Sequence, residues 1–192
     1  MQIDRLNLVE ETGYSEETIR EAFDEMMDYC TKGGERGGQT FGTGSLAWSQ
    51  SGKDHFDDVE KLFALDINIL KISGVVVIIF LGLVVLGKDE ELALGQGPLF
   101  WGPCVLLGTM TVLGVIGAMD FDRFFEGFHH LFFPGKTNWI FDEAEDEIIR
   151  ILPEVVFRDF AILILALVII LSILSIVLDF RLNGKGRKKK KI

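Results

Sequence analysis

Residues 160–178 read FAILILALVIILSILSIVL, an apolar run without a charged side chain. A helix needs about 20 consecutive apolar residues to cross the hydrocarbon core of a bilayer. Residues 99–119, LFWGPCVLLGTMTVLGVIGAM, form a second run of this kind. A third, 72–87, reaches spanning length when counted from Asp66, because the amine of Lys71 can extend to the headgroups. The sequence therefore predicts transmembrane helices at 66–87, 99–119 and 159–178.

Composition agrees with this division of the chain. Hydrophobic residues make up 48 % of the 192 residues and charged residues 25 %, with a mean hydropathy of +0.31. A chain rich in both must keep them in separate segments. In lipid the backbone hydrogen bonds have to be made within the segment, which favours helices over open strands. We predict an all-α polytopic integral membrane protein.

Charge predicts the orientation of the chain. Residues 1–70 hold 15 acidic against 6 basic side chains, and residues 120–159 hold 10 against 4. The tail from Asp179 carries seven basic side chains, and such segments stay in the cytoplasm during insertion. The predicted segments are an extracytoplasmic helical cap (1–65), a span (66–87), a cytoplasmic loop (88–98), a span (99–119), an extracytoplasmic aromatic and histidine loop with an amphipathic helix (120–158), a span (159–178) and a cytoplasmic polybasic tail (179–192).

The N-terminus raises a question about export. An acidic region of about 65 residues outside the membrane needs a translocation signal, and Met1-Gln2-Ile3-Asp4 has neither a basic nor an apolar signal region. We therefore expect a further transmembrane helix before Met1, which gives four spans in the intact protein.

Local patterns predict where three helices begin. Ser15 is suited to cap a helix from Glu16 to about Cys30, and Ser49 or Ser51 a helix that runs into the first span. Asp142 is suited to cap a short amphipathic helix that breaks near Pro153.

Between the second and third spans lies the stretch 121–142, FDRFFEGFHHLFFPGKTNWIFD. Aromatic side chains of this density suit a boundary between water and lipid. It holds His129 and His130, and the third histidine, His55, shares a helix face with Asp58. All three histidines fall on the outer side of the predicted membrane.

The histidines allow three interpretations. In the first interpretation they are structural, which is the commonest case. His55, Asp58, His129 and His130 offer metal ligands, but their spacing matches no closed zinc motif. In the third interpretation His129 exchanges a proton near neutral pH, an acid such as Asp58 or Asp142 orients a ring, and Asn138 and Trp139 donate to an oxyanion.

Other functions have less support. The spans hold no acidic or basic side chain at mid-depth, which argues against ion conduction and transport. A serine acyl-enzyme has no GxSxG motif. Cys30 and Cys104 belong to no redox or metal motif and are expected to be structural.

Four segments together resemble a known family. They are SEETIREAFDEMMDY (15–29), WSQSGKDHFDDVEKLF (48–63), FHHLFFPGKTNWIFD (128–142) and IIRILPE (148–154). The chain resembles, from about residue 5 to 160, a family of small Gram-positive integral membrane proteins that includes the lipoprotein intramolecular transacylase. H-F-x-D-V and F-H-x-L-F-F followed by N-W are the specific parts.

The resemblance implies a reaction and a set of site residues. An acyl chain would move from the glyceryl sn-2 position to the N-terminal cysteine amine of diacylglyceryl-modified lipoproteins, which leaves a lyso-form. The family's two histidines correspond to His55 and His129, its acid corresponds to Asp58, and His130 falls at a variable position. We expect His129, His55 and Asp58 to be catalytic, and Asn138, Trp139 and Phe128 to position the substrate.

The resemblance also sets the expected partners. Lipoproteins and membrane lipids are expected as partners, with no nucleic acid, metal or cofactor. The alternative is a non-catalytic membrane protein whose acidic cap binds a partner or regulates an envelope process.

Overall fold

A computed structural model describes residues 2–40, 42, 44, 46–86 and 96–189, without the side chains at 81, 84, 85 and 182–189. The described residues are all-helical and contain no strand, which confirms the predicted fold class. The α-helices are α1 (Leu8–Thr12), α2 (Glu16–Thr31), α3 (Gln50–Val85), α4 (Pro98–Met119), α5 (Phe121–Phe132), α6 (Ile148–Ile151) and α7 (Glu154–Lys189), with a short 3-10 helix at Gly34–Gly37.

Three helices are long and apolar enough to cross a membrane, which confirms the number predicted for this chain. They are Gln50–Phe80 within α3, Pro98–Met119, and Glu154–Arg181 within α7. The first is longer than a bilayer requires. Apart from Lys71, whose amine can extend to the headgroups, its charged side chains end at Asp66. We therefore assign the spanning part to the residues after Asp66, and His55 and Asp58 precede that part.

Several predicted boundaries stay untested. The fourth span concerns sequence before Met1, and the loop at 88–98 lies mostly outside the described residues. The assignment of segments to the two sides of the membrane also remains a prediction.

The predicted starts of α2 and α3 are confirmed by their capping hydrogen bonds. The hydroxyl oxygen of Ser15 accepts from the N–H of Thr18 at 3.1 Å, and that of Ser49 accepts from the N–H of Gly52 at 2.9 Å. Each bond satisfies one of the backbone donors that a helix leaves unpaired in its first turn. Ser49, rather than Ser51, therefore caps α3.

Within residues 120–158 the helices differ from those predicted. The stretch predicted as an aromatic and histidine loop begins with helix α5, and the carboxylate of Asp120 accepts from the N–H of Arg123 at 3.1 Å at its start. The phenylalanines at 121, 124, 125, 128 and 132 recur at helical spacing, and the prediction overlooked this period. The predicted amphipathic helix after Asp142 is a series of turns followed by the single helical turn α6. The predicted break is confirmed, since α7 begins directly after Pro153.

The structure divides into two compact units, of which the first comprises Met1–Gly74 and Gly127–Phe157. Three isoleucines at the centre of its core, Ile19, Ile148 and Ile151, are fully buried. The core also includes Leu8, Met26, Cys30, Phe56 and Leu152. Burial raises the pKa of the Cys30 thiol to about 12, so the thiol stays protonated and packs as an apolar group.

The second unit comprises Val75–Glu126 and Arg158–Ile192. Within it the hydroxyl of Ser175 in α7 donates to the carbonyl of Leu99 in α4 at 2.9 Å. The N–H of Gly97 donates to the carboxylate of Asp179 at 3.3 Å. Both helices expose large apolar side chains along their length, as expected of surfaces that face lipid.

Candidate active site

The first turn of α3 is fixed by a buried acid distant in sequence. Asp146 is buried, and its carboxylate accepts from the N–H of Ser49 at 2.8 Å and from its hydroxyl at 2.9 Å. The carboxylate of Glu147 accepts from the N–H of Ala47 at 2.6 Å. These bonds anchor the start of α3 to the segment before α6, and His55 lies one to two turns further along that helix.

His55 lies in an aromatic box. Its side chain is 5 % exposed, and its ring meets Phe133 and Phe141 edge to face with centroids 5.0 and 5.4 Å apart. Phe56 forms a further wall at 5.6 Å. The Nδ1 atom of His55 is buried without a hydrogen-bond partner. Such an atom is costly unless a ligand or substrate satisfies it, and so it merits a functional explanation.

His129, on α5, is the nearest polar neighbour of that box. It is 7 % exposed, and its ring centroid lies 5.8 Å from that of His55. Trp139 stacks on its other side, with centroids 4.7 Å apart and planes inclined by 26°. The structure therefore brings together the two histidines that the resemblance selected, from segments separated by two candidate spans.

Burial and charge keep His55 neutral. Desolvation disfavours the imidazolium, His129 and Lys136 act in the same direction, and Asp58 opposes them. Together they lower the pKa of His55 to about 4. At neutral pH its ring is therefore uncharged and can take part in hydrogen bonds as a neutral imidazole.

Asp58 is buried and held by three donors. Lys136 Nζ pairs with its Oδ2, Lys61 Nζ with its Oδ1 at 3.0 Å, and Asn138 Nδ2 donates to Oδ2 at 3.2 Å. Burial alone would raise the pKa of Asp58, but these three partners outweigh it and lower the pKa to about 2. Asp58 is thus a fixed anion whose bonds connect α3 to the turn at residues 135–138.

The three predicted positioning residues have different contacts in the site. The Trp139 Nε1–H donates to the carbonyl of Lys136 at 3.0 Å, so this N–H is already used and the ring provides the stacking surface. Asn138 donates one amide N–H to Asp58, and its Oδ1 is buried without a hydrogen-bond partner. Phe128 meets His129 edge to face at 5.5 Å and is 41 % exposed.

His130 lies at the exposed edge of this arrangement. Its side chain is exposed, and its ring meets the edge of Trp139 at 5.5 Å. Across the described part of the chain no group of three or more His, Cys, Asp or Glu side chains is arranged to hold a metal ion. The metal interpretation thus has no cluster to support it there.

Four residues of the site were missed in the sequence: Lys136, Phe133, Phe141 and Asp146. Phe133 and Phe141 were counted among the aromatics of a membrane boundary, although here they line the box. Lys136 lies in the turn at residues 135–138, two residues before the predicted site residue Asn138. Its charge at that position was a signal that the prediction could have used. Asp146 had none, because its partner lies 97 residues away.

Comparison with known proteins identifies the family of the chain. The family model of the lipoprotein intramolecular transacylase Lit matches residues 1–157, a region that includes both histidine-bearing helices. The chain belongs to this family. No match is found among curated proteins.

Solved structures of the Lit family have the same fold. The structure of Lit from Bacillus cereus, a membrane-integral enzyme, is 27 % identical, with a TM-score of 0.81, and the match covers 97 % of this chain and 82 % of that one. A variant with one histidine changed to arginine matches with a TM-score of 0.72 and 26 % identity, over 98 % and 80 % of the chains. A variant with alanine gives 0.69 and 26 %, over 97 % and 80 %.

Lit family membership confirms several predictions. The chain is an integral membrane protein that crosses the bilayer several times, and it is an acyl-transfer enzyme of the lipoprotein intramolecular transacylase family. The non-catalytic alternative is not supported.

Proposed function

We propose that this chain transfers an acyl chain from the glyceryl sn-2 oxygen to the α-amine of the N-terminal cysteine of a diacylglyceryl-modified lipoprotein. The observation that best supports this proposal is the pair of buried histidines, with ring centroids 5.8 Å apart beside an unpartnered Nδ1. The product is a lyso-form lipoprotein with an N-acyl cysteine.

The reaction balances within one substrate molecule. The amine nitrogen bonds to the ester carbonyl carbon, the bond from that carbon to the sn-2 oxygen breaks, and the proton lost by nitrogen is delivered to the leaving oxygen. Because donor and acceptor belong to one molecule, orientation replaces a second binding event. From the neutral amine the exchange needs a base that takes the proton from nitrogen and returns it to the leaving oxygen, and it needs no cofactor. When the substrate starts as the ammonium form, one further proton passes to solvent before attack.

In this proposal His129 is the base. An α-amine has a pKa of about 7.7–8.0 and is mostly protonated at neutral pH, so a base must remove a proton before attack. His55, which is uncharged, offers a hydrogen bond through Nδ1 to the amine or to the leaving oxygen. Asp58 supports the pair by anchoring Asn138 and Lys136.

The remaining residues position the substrate. The amide of Asn138, which Asp58 holds in place, can turn its second N–H to the developing oxyanion, whose stabilisation is usually the largest contribution to acyl transfer. Trp139 holds the ring of His129 by stacking, and the exposed ring of Phe128 offers an apolar contact to an acyl chain.

The proposed site lies at the extracytoplasmic surface of the membrane. Residues 1–65 and 120–158 would stand outside and the polybasic tail inside, where it contacts anionic lipid headgroups. This arrangement gives the enzyme access to lipoproteins anchored in the outer leaflet.

Mass spectrometry of lipoprotein N-termini tests the proposal in cells that express the protein. The wild type is expected to convert diacylglyceryl cysteine to N-acyl, S-monoacylglyceryl cysteine. His129→Ala and His55→Ala should each reduce conversion about 100-fold or more, as is usual for loss of acid–base catalysis. His130→Ala is the matched control and should retain activity. Unchanged lipoproteins with the wild type would refute the function, and conversion by both histidine variants would refute the site.

A further inference from the structure

A polar groove adjoins the active site. It has a volume of about 540 Å³ and lies between the first part of α3 and the turn at 135–138. Among the residues that the structure describes, no apolar side chain lines it. Its lining residues are Ser51, Asp54, Asp57, Asp58, Lys61, Gly135, Lys136, Thr137 and Asn138.

The groove follows from the register of α3. Ser51, Asp54, Asp58 and Lys61 are spaced three or four apart and therefore share one face of the helix. Asp58 and Asn138 belong both to the groove and to the hydrogen-bond network described above, and Trp139, the next residue, stacks on His129. The groove thus begins at the proposed site of acyl transfer.

We propose that this groove binds the peptide that follows the modified cysteine of the lipoprotein. The inference rests on the proposed function, since it concerns the polypeptide part of the same substrate. A cysteine held at the histidines needs a path for the chain that continues from its carbonyl, and the groove provides that path.

Polarity separates the two parts of the substrate. A bound peptide presents an N–H and a C=O at each residue, and these groups need partners when they leave water. The groove offers carboxylates, amines, two hydroxyls and an amide, whereas acyl chains find apolar contacts on α5. There Phe128, Leu131 and Phe132 are 41 %, 73 % and 45 % exposed.

Charge indicates which peptides bind best. Asp58 is neutralised by Lys61 and Lys136, whereas Asp54 accepts a hydrogen bond from Gln50 and Asp57 one from Tyr29. Within the described residues neither Asp54 nor Asp57 has a cationic partner. The groove therefore favours a peptide with basic side chains shortly after the cysteine.

Three synthetic substrates test this inference with the purified protein in detergent micelles. They are diacylglyceryl cysteine amide without a peptide, the same lipid amino acid extended by Ser-Gly-Lys-Lys, and one extended by Ser-Gly-Glu-Glu. A few peptide hydrogen bonds in the groove should raise kcat/KM for the lysine substrate about tenfold over the cysteine amide.

Two variants locate the effect in the groove. Ser51→Trp places an indole in the groove and should remove most of the advantage of the lysine substrate, measured as the ratio of its kcat/KM to that of the cysteine amide in the same variant. Glu17→Trp, at an exposed position of α2 that does not line the groove, is the matched control and should keep the advantage. Asp54→Lys should shift the preference from lysine toward glutamate by about threefold at low salt and less at high salt.

The outcomes separate this inference from the proposed function. Equal kcat/KM for all three substrates, or a peptide advantage that survives Ser51→Trp, would refute the groove and leave the acyl transfer intact. If none of the three substrates is converted, the proposed function itself is refuted.

Discussion

His55 shows how one side chain can be kept uncharged near neutral pH. Phenylalanine rings surround it, and His129 and Lys136 oppose a positive charge on its ring. Asp58 acts in the other direction but is already held by Lys61, Lys136 and Asn138. As a result the unfolded chain binds a proton at His55 more readily than the folded protein does.

This difference predicts a dependence of stability on pH. The pKa of His55 is about 4 in the folded protein and 6.5 for an unperturbed ring. Above pH 6.5 neither state binds the proton, so His55 costs nothing; as pH falls toward 4 the unfolded state gains the proton first. The folded protein should lose up to about 3 kcal/mol between these pH values.

Thermal midpoints in detergent from pH 7.5 to 4.0 measure this loss, with His55→Phe as the comparison. Phenylalanine suits the aromatic box and does not titrate. The wild-type midpoint should fall more steeply below pH 6.5 than that of His55→Phe. Asp58, with a pKa of about 2, contributes little in this range. Parallel curves for the two proteins would contradict the assignment.

At the scale of elements, the start of α3 depends on a close approach. A Cβ placed on Gly52 would overlap the carboxylate of Asp146 and meet the ring of Phe141 at 3.2 Å. Only glycine leaves room for Asp146 to bind the cap residue Ser49. His55 follows three residues later on the same helix, so a shift of the backbone at Gly52 would also displace the ring of His55 in the aromatic box.

Gly52→Ala therefore tests whether packing outweighs helix propensity. Propensity alone favours alanine by about 1 kcal/mol, whereas overpacking costs about 1–3 kcal/mol. We expect a lower thermal midpoint and a clear loss of acyl transfer. Gly74→Ala in the same helix is the control, since a Cβ there meets nothing within 4 Å, and it should be neutral or stabilising. Equal behaviour of the two variants would contradict the role of Asp146.

These elements show which parts of the fold and of the site could be predicted from the sequence. The starts of α2 and α3 were predictable because a capping serine acts on its own first turn. The spans were predictable because length and hydropathy are local properties. The box around His55 was not, because Phe133, Phe141 and Asp146 come from distant segments. Helix α5 was predictable in principle, but its aromatic composition was given more weight than its helical period.

At the scale of the whole molecule, the orientation in the membrane is predicted by three apolar helices together with the signs of charge on the segments between and after them. Residues 1–65 and 120–158 are acidic and the tail is basic, so the tail should stay in the cytoplasm. The proposed substrate is anchored in the outer leaflet, which requires the histidines to face that side.

Impermeant maleimide labelling of intact cells measures this orientation. Glu143→Cys introduces an exposed thiol in the segment proposed to lie outside and should be labelled. The wild type is the control, because Cys30 is buried and Cys104 lies in a candidate span. A fluorescent protein that matures only in the cytoplasm, fused after Ile192, should fluoresce. Labelling of Glu143→Cys only after the cells are opened would reverse the orientation.

The bonds between Ser49 and Asp146 join residues 97 apart, with two candidate spans between them. A ribosome adds roughly 5–20 residues per second, so Asp146 is made about 5 to 20 seconds after Ser49. During that interval the N-terminal end of α3 lacks its anchor and His55 lacks most of its aromatic surroundings. A nascent or truncated chain that already reaches the bilayer therefore cannot act on lipoproteins, and activity arises only in chains whose later segments have been inserted.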